Sequence, residues 1–166
     1  MTSKLTAALA TTLALAALGA PAGAAEITRH KSGPDAPILA GATVPAGTAL
    51  TFLSGQVPPV IDKDAPPDSP RAYGDTKTQT LGVLNRIRVA LEPLDLKMGD
   101  IVKMTVFLVG DPSLGGKMDF KGFSEGYAQF FGTAAQPNVV ARSTMQVSAL
   151  VNPGWLVEIE VTAVRP

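Results

Sequence analysis

Two residues of the 166-residue chain, Arg142 and Glu158, have side chains suited to binding and reacting with a small carboxylated molecule. Each lies in a run in which polar and apolar residues alternate, as in a half-buried strand. In the first run Arg142 shares a face with Thr144 and Gln146, and in the second Glu158 shares a face with Glu160. A planar guanidinium and a carboxylate held on a rigid sheet indicate a binding site for a small carboxylated ligand.

The two runs are separated by turn-forming residues, Asn152, Pro153 and Gly154. The stretch 137–163 is therefore predicted to be a hairpin-like pair of strands, or else one bent element plus an edge strand. One face of this pair is apolar, and the other carries the polar side chains.

Periodicity along the rest of the chain predicts the order β-β-α-β-α-β-β, which is an α+β fold. The expected strands before the C-terminal pair are 38–44, 48–56 and 101–109, and the expected helices are 75–91 and 119–131. The first two strands could pair across residues 45–47. Residues 26–37 are predicted to be irregular, and residues 57–73, which contain several Pro and Asp, to form a loop.

Local signals set the expected ends of the helices. Asp75 can cap the first helix, Thr76 and Gln79 resemble a capping box, and Pro93 should end it. Gly132 should end the second helix. The second helix carries one aromatic stripe, which is predicted to be core rather than a ligand pocket: Phe120, Phe123, Tyr127 and Phe130.

Two helices can cover only one face of such a sheet. The face with Arg142, Thr144, Gln146, Glu158 and Glu160 is predicted to be the uncovered one. Burying these polar side chains without partners would be costly, so this face is expected to form a subunit interface with sites at its edges.

The tripeptide Ser54-Gly55-Gln56 closes the second strand. It could be an ordinary strand end, or Gly55 could allow a ligand to approach the backbone closely. The residues alone leave both interpretations open.

Composition excludes several classes of function. The chain has 14 Lys and Arg against 14 Asp and Glu, with no basic run, so no nucleic-acid partner is expected. Charged residues make up 17%, below the roughly 25% of ordinary domains, which favours a surface partly covered by another subunit. With one histidine, His30, and no cysteine, neither a metal site nor a cofactor is expected.

Residues 1–25 are typical of a secretory signal peptide. Lys4 precedes an apolar run over residues 5–19, and Ala22-Gly23-Ala24 fits a cleavage site. The apolar run is shorter than the roughly 20 residues that span a bilayer. The mature chain, residues 26–166, is therefore expected to be one domain that is periplasmic or secreted and does not associate with the membrane.

Several segments together resemble the RidA/YjgF family of imine and enamine deaminases. They are Ser54-Gly55-Gln56, the strand 100–108, Ala141-Arg142-Ser143 and Val157-Glu158-Ile159-Glu160. In order and spacing they cover most of the chain from about residue 50 onwards. The resemblance implies a chorismate-mutase-like fold, a mixed sheet with two helices on one face. It also implies a homotrimer with a cleft between each pair of subunits.

The resemblance also implies a reaction and a set of site residues. The family hydrolyses 2-imino and 2-enamino acids to 2-keto acids and ammonia, so the expected small-molecule partner is an imino or keto acid. Arg142 matches the residue that binds the substrate carboxylate, and Glu158 the residue that orients water or moves its proton. Ser54 and Gly55 match the element lining the cleft, and Thr144 stands where many members have cysteine.

The sequence departs from the family pattern at several positions, including Ser124 and the turn 151–155. These departures affect substrate identity more than fold. Two other functions stay open: a non-catalytic protein that binds small carboxylates through Arg142, and a holdase-type protein that binds other proteins.

Overall fold

The computed structural model describes residues 26–165, which form a mixed six-stranded sheet with two α-helices on one face. The predicted signal peptide, residues 1–25, lies outside the described residues. The strands are β1 (Thr28–Lys31), β2 (Leu39–Thr43), β3 (Leu50–Gln56), β4 (Ile101–Val109), β5 (Ala141–Val147) and β6 (Val157–Val164), and the helices are α1 (Thr76–Leu91) and α2 (Phe120–Tyr127). The predicted fold class is confirmed.

The order of strands in the sheet is β1-β2-β5-β4-β6-β3. Strand β4 is central, pairing in parallel with β5 and antiparallel with β6. Its largely apolar sequence fits this position, because strands flank it on both edges and the helices bury the face that carries Met104, Val106 and Leu108. The prediction that β5 and β6 are paired neighbours is wrong, since β4 lies between them.

The N-terminal region also differs from prediction. Residues 28–31, expected to be irregular, form β1, which pairs antiparallel with β2. Its sequence, Thr-Arg-His-Lys, has no apolar alternation, so periodicity gave no signal for an exposed edge strand. Strands β2 and β3, which could have formed a hairpin, are separated by three strands: β3 forms one edge of the sheet, and β2 lies next to β1 at the other edge.

The β1–β2 hairpin is joined to the rest of the sheet by few contacts. Strand β2 pairs with β5 only at Leu39 and Ala141. The guanidinium of Arg29 supplies the second attachment. It donates to the carbonyl oxygens of Gly99 at 2.7 Å, Ile101 at 3.1 Å and Val139 at 3.3 Å.

Helix α1 begins at Thr76, after Asp75, whose carboxylate accepts a hydrogen bond from the Thr78 amide at 2.8 Å. The predicted capping role of Gln79 is wrong. Its buried side chain donates to the carbonyl oxygens of Gly74 and Gly154 and accepts from the amide of Leu156. It therefore fastens the turn before β6 to the first turn of α1.

Helix α2 is shorter than predicted and ends at Tyr127. The chain tightens there into hydrogen bonds that span three residues, from Gln129 to Gly126 and from Phe130 to Tyr127. The two helices pack closely because Gly126 lies against Thr80, where a Cβ atom would come within 2.9 Å of the threonine side chain. Among residues 26–165, none of the helices is both long and apolar enough to span a bilayer.

The hydrophobic core lies between the sheet and the helices. The covered face of β4 carries Met104, Val106 and Leu108, all fully buried. In register with them, β6 contributes Val161, Ile159 and Val157, whereas β5 contributes Arg142, Thr144 and Gln146.

This register corrects one prediction. The side chains of Arg142, Thr144 and Gln146 lie on the helix-covered face rather than the open face. Glu158 and Glu160 do lie on the open face, in register with Phe107 and Thr105.

Candidate functional site

The guanidinium of Arg142 lies over the aromatic side chains of helix α2. Its Cζ atom is 4.4 Å from the ring centroid of Tyr127, 4.9 Å from that of Phe123 and 5.9 Å from that of Phe120. Cations are attracted to the faces of aromatic rings at these distances. These contacts place the guanidinium between β5, which carries Arg142, and the rings of α2.

Arg142 forms part of a cleft of about 580 Å³ between α2, the loop before β5 and the β1–β2 turn. The remaining wall is mostly apolar. It is formed by Pro34, Ala36, Pro37, Phe120, Ser124, Tyr127, Ala128, Phe131, Gly132, Pro137 and Val139, with Lys31 and Asp35 at the rim. The cleft has the size and lining of small-molecule sites.

The charge of Arg142 has no counter-ion among the residues that the structure describes. The ion pairs found there join Lys77 or Lys121 to Glu125 and Arg88 to Glu92. The Nη1 atom of Arg142 is buried and has no hydrogen-bond partner within this part of the chain. Burial lowers the pKa of Arg142, with Tyr127 opposing the shift, but an arginine stays protonated at neutral pH.

Two further polar atoms on this face of the sheet are buried without a hydrogen-bond partner among residues 26–165. They are the hydroxyl oxygens of Tyr127 and Thr144. Burial raises the pKa of Tyr127, so its hydroxyl stays protonated at neutral pH and is available as a donor. A buried polar group that lacks a partner is destabilising, and an anion bound in the cleft would offer an acceptor to Tyr127, which lines the cleft, but not to Thr144, which does not.

Glu158 lies on the opposite face of the sheet, next to the bulged end of β3. Its carboxylate packs against Gly55, where a Cβ atom would collide with it. The absence of a side chain at Gly55 therefore leaves the room that the carboxylate occupies. Ser54 is exposed on the same open face, in a shallow cavity with Phe52 and Glu160.

The predicted site residues thus form two separate groups within one chain. Arg142 and Thr144 belong to the covered face, and Ser54, Gly55 and Glu158 to the open face. From the strand register, the Cα atoms of Arg142 and Glu158 are about 14 Å apart. Their side chains also point in opposite directions, so they cannot touch one ligand within a single subunit.

Helix α2 contributes residues that sequence reasoning assigned only to the core. Phe123 and Tyr127 are buried as predicted, but Phe120 is 46% exposed and lines the cleft. The rings also hold the guanidinium of Arg142. The sequence shows both features separately, the aromatic stripe of α2 and the arginine of β5. Only the register of β5 in the sheet shows that they lie against each other.

Comparison with known proteins identifies the family. Residues 42–165 match the endoribonuclease L-PSP family. A RutC family protein from Pyrococcus horikoshii is 34% identical over 122 residues, which is 74% of this chain and 83% of that protein. TdcF of Escherichia coli is 32% identical over 117 residues, which is 70% of this chain and 80% of TdcF. TdcF is named as a reactive intermediate deaminase, an activity not yet established for it.

Solved structures agree with the sequence comparison. The crystal structure of E. coli TdcF with bound serine has a TM-score of 0.53 and 29% identity, covering 83% of this chain and 93% of TdcF. The E. coli YjgF gene product has a TM-score of 0.53 and 31% identity, covering 74% of this chain and 85% of YjgF. The chain therefore belongs to the endoribonuclease L-PSP family that includes the RidA/YjgF proteins, and the resemblance seen in the sequence is confirmed.

Proposed function

We propose that this protein hydrolyses reactive 2-imino and 2-enamino acids to 2-keto acids and ammonia. The observation that carries the proposal is the half-buried guanidinium of Arg142, which lacks a carboxylate partner among residues 26–165 and borders a cleft. A substrate carboxylate would supply the missing negative charge through two parallel hydrogen bonds. The serine bound in the crystal structure of TdcF supports a ligand with a carboxylate beside a carbon–nitrogen bond.

The chemistry needs a fixed substrate and a positioned water. Water adds to the imine carbon to give a carbinolamine, and the carbon–nitrogen bond then breaks to release ammonia and the keto acid. Arg142 holds the carboxylate and so fixes the reacting carbon. Glu158 orients the water and transfers its proton to the departing nitrogen. No cofactor takes part in this scheme.

The separation of Arg142 from Glu158 requires more than one subunit. We infer a homotrimer, the assembly implied by the RidA/YjgF resemblance, in which the Arg142 cleft of one subunit meets the open sheet face of the next. Apolar side chains exposed on that open face support a covered surface. Phe52 is 73% exposed and Met145 is 40% exposed in the single chain.

The proposed site of action is the periplasm or the extracellular space, after removal of residues 1–25. The basis is the predicted signal peptide. N-terminal sequencing of protein recovered from outside the cytoplasm should give a start at Ala25 or Glu26. Full-length protein in a membrane fraction would contradict this proposal.

The activity is tested by competition for a short-lived imine. An amino-acid oxidase generates the imine in the presence of semicarbazide, and the protein should reduce semicarbazone formation by hydrolysing the imine first. Arg142→Ala should abolish the effect, because losing a charge-assisted hydrogen bond worth roughly 1.5–3 kcal/mol also loses alignment of the substrate. Arg142→Lys should restore it only in part, since an ammonium lacks the planar fork.

Glu158→Gln should slow turnover by about 10²–10⁴-fold with little change in affinity for the 2-keto acid product. Arg88→Ala and Glu92→Gln are the matched controls, because these residues form an exposed pair on the surface. All variants are first checked for assembly by native mass spectrometry. Full activity of an assembled Arg142→Ala variant would show that the site is wrongly assigned.

A second function, binding of small carboxylates without turnover, is favoured by one observation. The Arg142 cleft is formed within a single chain and does not include Glu158. If the wild type binds 2-keto acids without accelerating imine loss, and Arg142→Ala abolishes that binding, the protein is a binding protein rather than an enzyme.

RNA cleavage, which the name of the endoribonuclease L-PSP family suggests, is not favoured by this chain. The sequence has equal numbers of basic and acidic residues. Its one histidine, His30, is exposed on β1 and bonded to Thr43 at 2.8 Å. An RNA substrate with and without the protein is a simple additional arm of the assay.

A further inference from the structure

Inside the cleft, the guanidinium of Arg142 is surrounded mostly by hydrocarbon. Aromatic rings and prolines form most of its wall, as described above. The two charged side chains at its rim, Lys31 and Asp35, are exposed and of opposite sign. Within one subunit, a ligand side chain extending into the cleft from Arg142 therefore meets mostly apolar surface.

The one small polar residue beside the rings offers no hydrogen to a ligand. Ser124 lines the cleft, but its hydroxyl donates to the backbone oxygen of Phe120 at 2.8 Å. Its short side chain also leaves space next to that ring. The cleft volume of about 580 Å³ is in the range that holds drug-sized molecules, so a three-carbon imino acid would leave most of it unfilled.

Phe120 is the most exposed member of the aromatic stripe. It is 46% exposed, whereas Phe123 and Tyr127 are 0% and 3% exposed. Its ring centroid lies 5.9 Å from the guanidinium carbon of Arg142. A carboxylate bound to that guanidinium places the next carbons of the ligand beside the Phe120 ring. Covering the ring with an apolar side chain removes hydrocarbon from water.

We infer that this cleft selects 2-imino acids with bulky apolar side chains, such as those formed from leucine and phenylalanine, and that Phe120 determines this specificity by packing against the side chain. The inference rests on the proposed function and specifies its substrates. An acidic side chain is disfavoured, because a second carboxylate would lose its hydration against the rings, and Lys31 at the rim is exposed to solvent, where an ion pair compensates little for that loss.

The test compares imines made in place by amino-acid oxidases from leucine, phenylalanine, alanine and glutamate. The wild-type kcat/KM should be at least about tenfold higher for the leucine and phenylalanine imines than for the alanine imine, since extra carbons in an apolar pocket discriminate by this order. The glutamate imine should be the poorest. Binding of the corresponding 2-keto acids, measured by calorimetry, should follow the same order.

Variants of Phe120 separate its role from that of the cleft as a whole. Phe120→Ala should lower kcat/KM about tenfold more for the leucine and phenylalanine imines than for the alanine imine, whatever its effect on the rate common to all of them. Phe120→Leu should retain most of the preference. Leu114→Ala is the matched control, because Leu114 is 48% exposed and does not line the cleft. Thermal unfolding and native mass spectrometry verify that each variant is folded and assembled.

The outcomes distinguish this inference from the proposed function. Equal rates for all four imines, or a preference for alanine, would overturn the inference and leave the deaminase activity standing. If no imine is hydrolysed faster than in buffer, the proposed function fails, and the order of keto-acid affinities alone decides the specificity. If Phe120→Ala fails to assemble and Phe120→Leu keeps the preference for the leucine and phenylalanine imines, Phe120 belongs to a subunit contact. That outcome would overturn its role in substrate specificity.

Discussion

Mixed oligomers of two inactive variants should recover activity if each site is shared between subunits. Arg142 faces the helices and Glu158 faces the open side of the same sheet, with Cα atoms about 14 Å apart. An Arg142→Ala subunit keeps Glu158, and a Glu158→Gln subunit keeps Arg142. Where two such subunits meet in the productive order, one complete site is restored.

The expected recovery follows from the geometry of a cyclic trimer. In the proposed trimer, each cleft joins the covered face of one subunit to the open face of the next. In an equal, random mixture, about half of the clefts have an intact Arg142. About half of these also receive an intact Glu158 from the neighbouring subunit, so about a quarter of the sites are restored. The mixture should therefore show about a quarter of the wild-type rate.

The variants are unfolded together in denaturant, refolded, and assayed by semicarbazide competition. Native mass spectrometry, with one variant isotopically labelled, measures how completely the subunits have mixed. Each variant refolded alone is one control. The other is wild type refolded with the Arg142→Ala/Glu158→Gln double variant, which should also retain about a quarter of its sites at equal mixing.

If the mixture stays as inactive as the separate variants although mixed species are present, the shared-site geometry is refuted. Activity would then depend on both residues of one subunit, or Glu158 would not act at the Arg142 cleft. Recovery well above a quarter would indicate that subunits do not mix randomly or that one variant was never inactive.

Three further predictions follow from individual contacts. Gly55→Ala should lower kcat with little change in thermal stability, because the added Cβ atom displaces the Glu158 carboxylate. Gly41→Ala is the control and should leave kcat unchanged, because a Cβ atom at Gly41 has no atom within 4 Å. Asp75→Ala should lower the free energy of unfolding by about 0.5–2 kcal/mol at pH 7 in urea denaturation, and Asp75→Ser should lower it less. Hydrogen bonds from Thr78 lower the pKa of Asp75 in the folded protein. The stabilisation by this carboxylate is therefore complete above the pKa of unfolded Asp, about 3.9, and is lost as the pH falls through the lower pKa of the folded state. The wild type and Asp75→Ala should thus have similar stability at low pH. Gln79→Leu should cost on the order of 3 kcal/mol in the same assay, because it leaves buried backbone groups unpaired.

The sequence was sufficient to predict most of the regular elements. Strand β4 and helix α1 were predicted because each has a long, unambiguous apolar pattern and, for α1, a capping residue. Strand β1 was missed because a short exposed edge strand needs no apolar alternation. Helix α2 was predicted four residues too long, since the aromatic residues beyond Tyr127 fit a helix as well as a tightened turn.

The sequence suggested individual residues for the candidate site but not their arrangement in three dimensions. Alternation shows that Arg142 and Thr144 share a face of β5, but it does not show which face the helices cover. The polar character of these residues suggested the open face, whereas the structure provides a cleft on the covered side. Pairing is also non-local: the insertion of β4 between β5 and β6 depends on contacts across the whole sheet.

The attachment of Arg29 bears on the order in which the chain folds as it is made. Its carbonyl acceptors follow it by 70 to 110 residues, so the first strand synthesised gains this anchor only when most of the chain is available. Closing such long loops is slow because their entropy is lost before the contacts form. Pulse-labelling hydrogen exchange should show the amides of β1 protected after those of β4 and β6. The attachment of the β1–β2 hairpin to the rest of the sheet is therefore expected to be one of the last steps of folding.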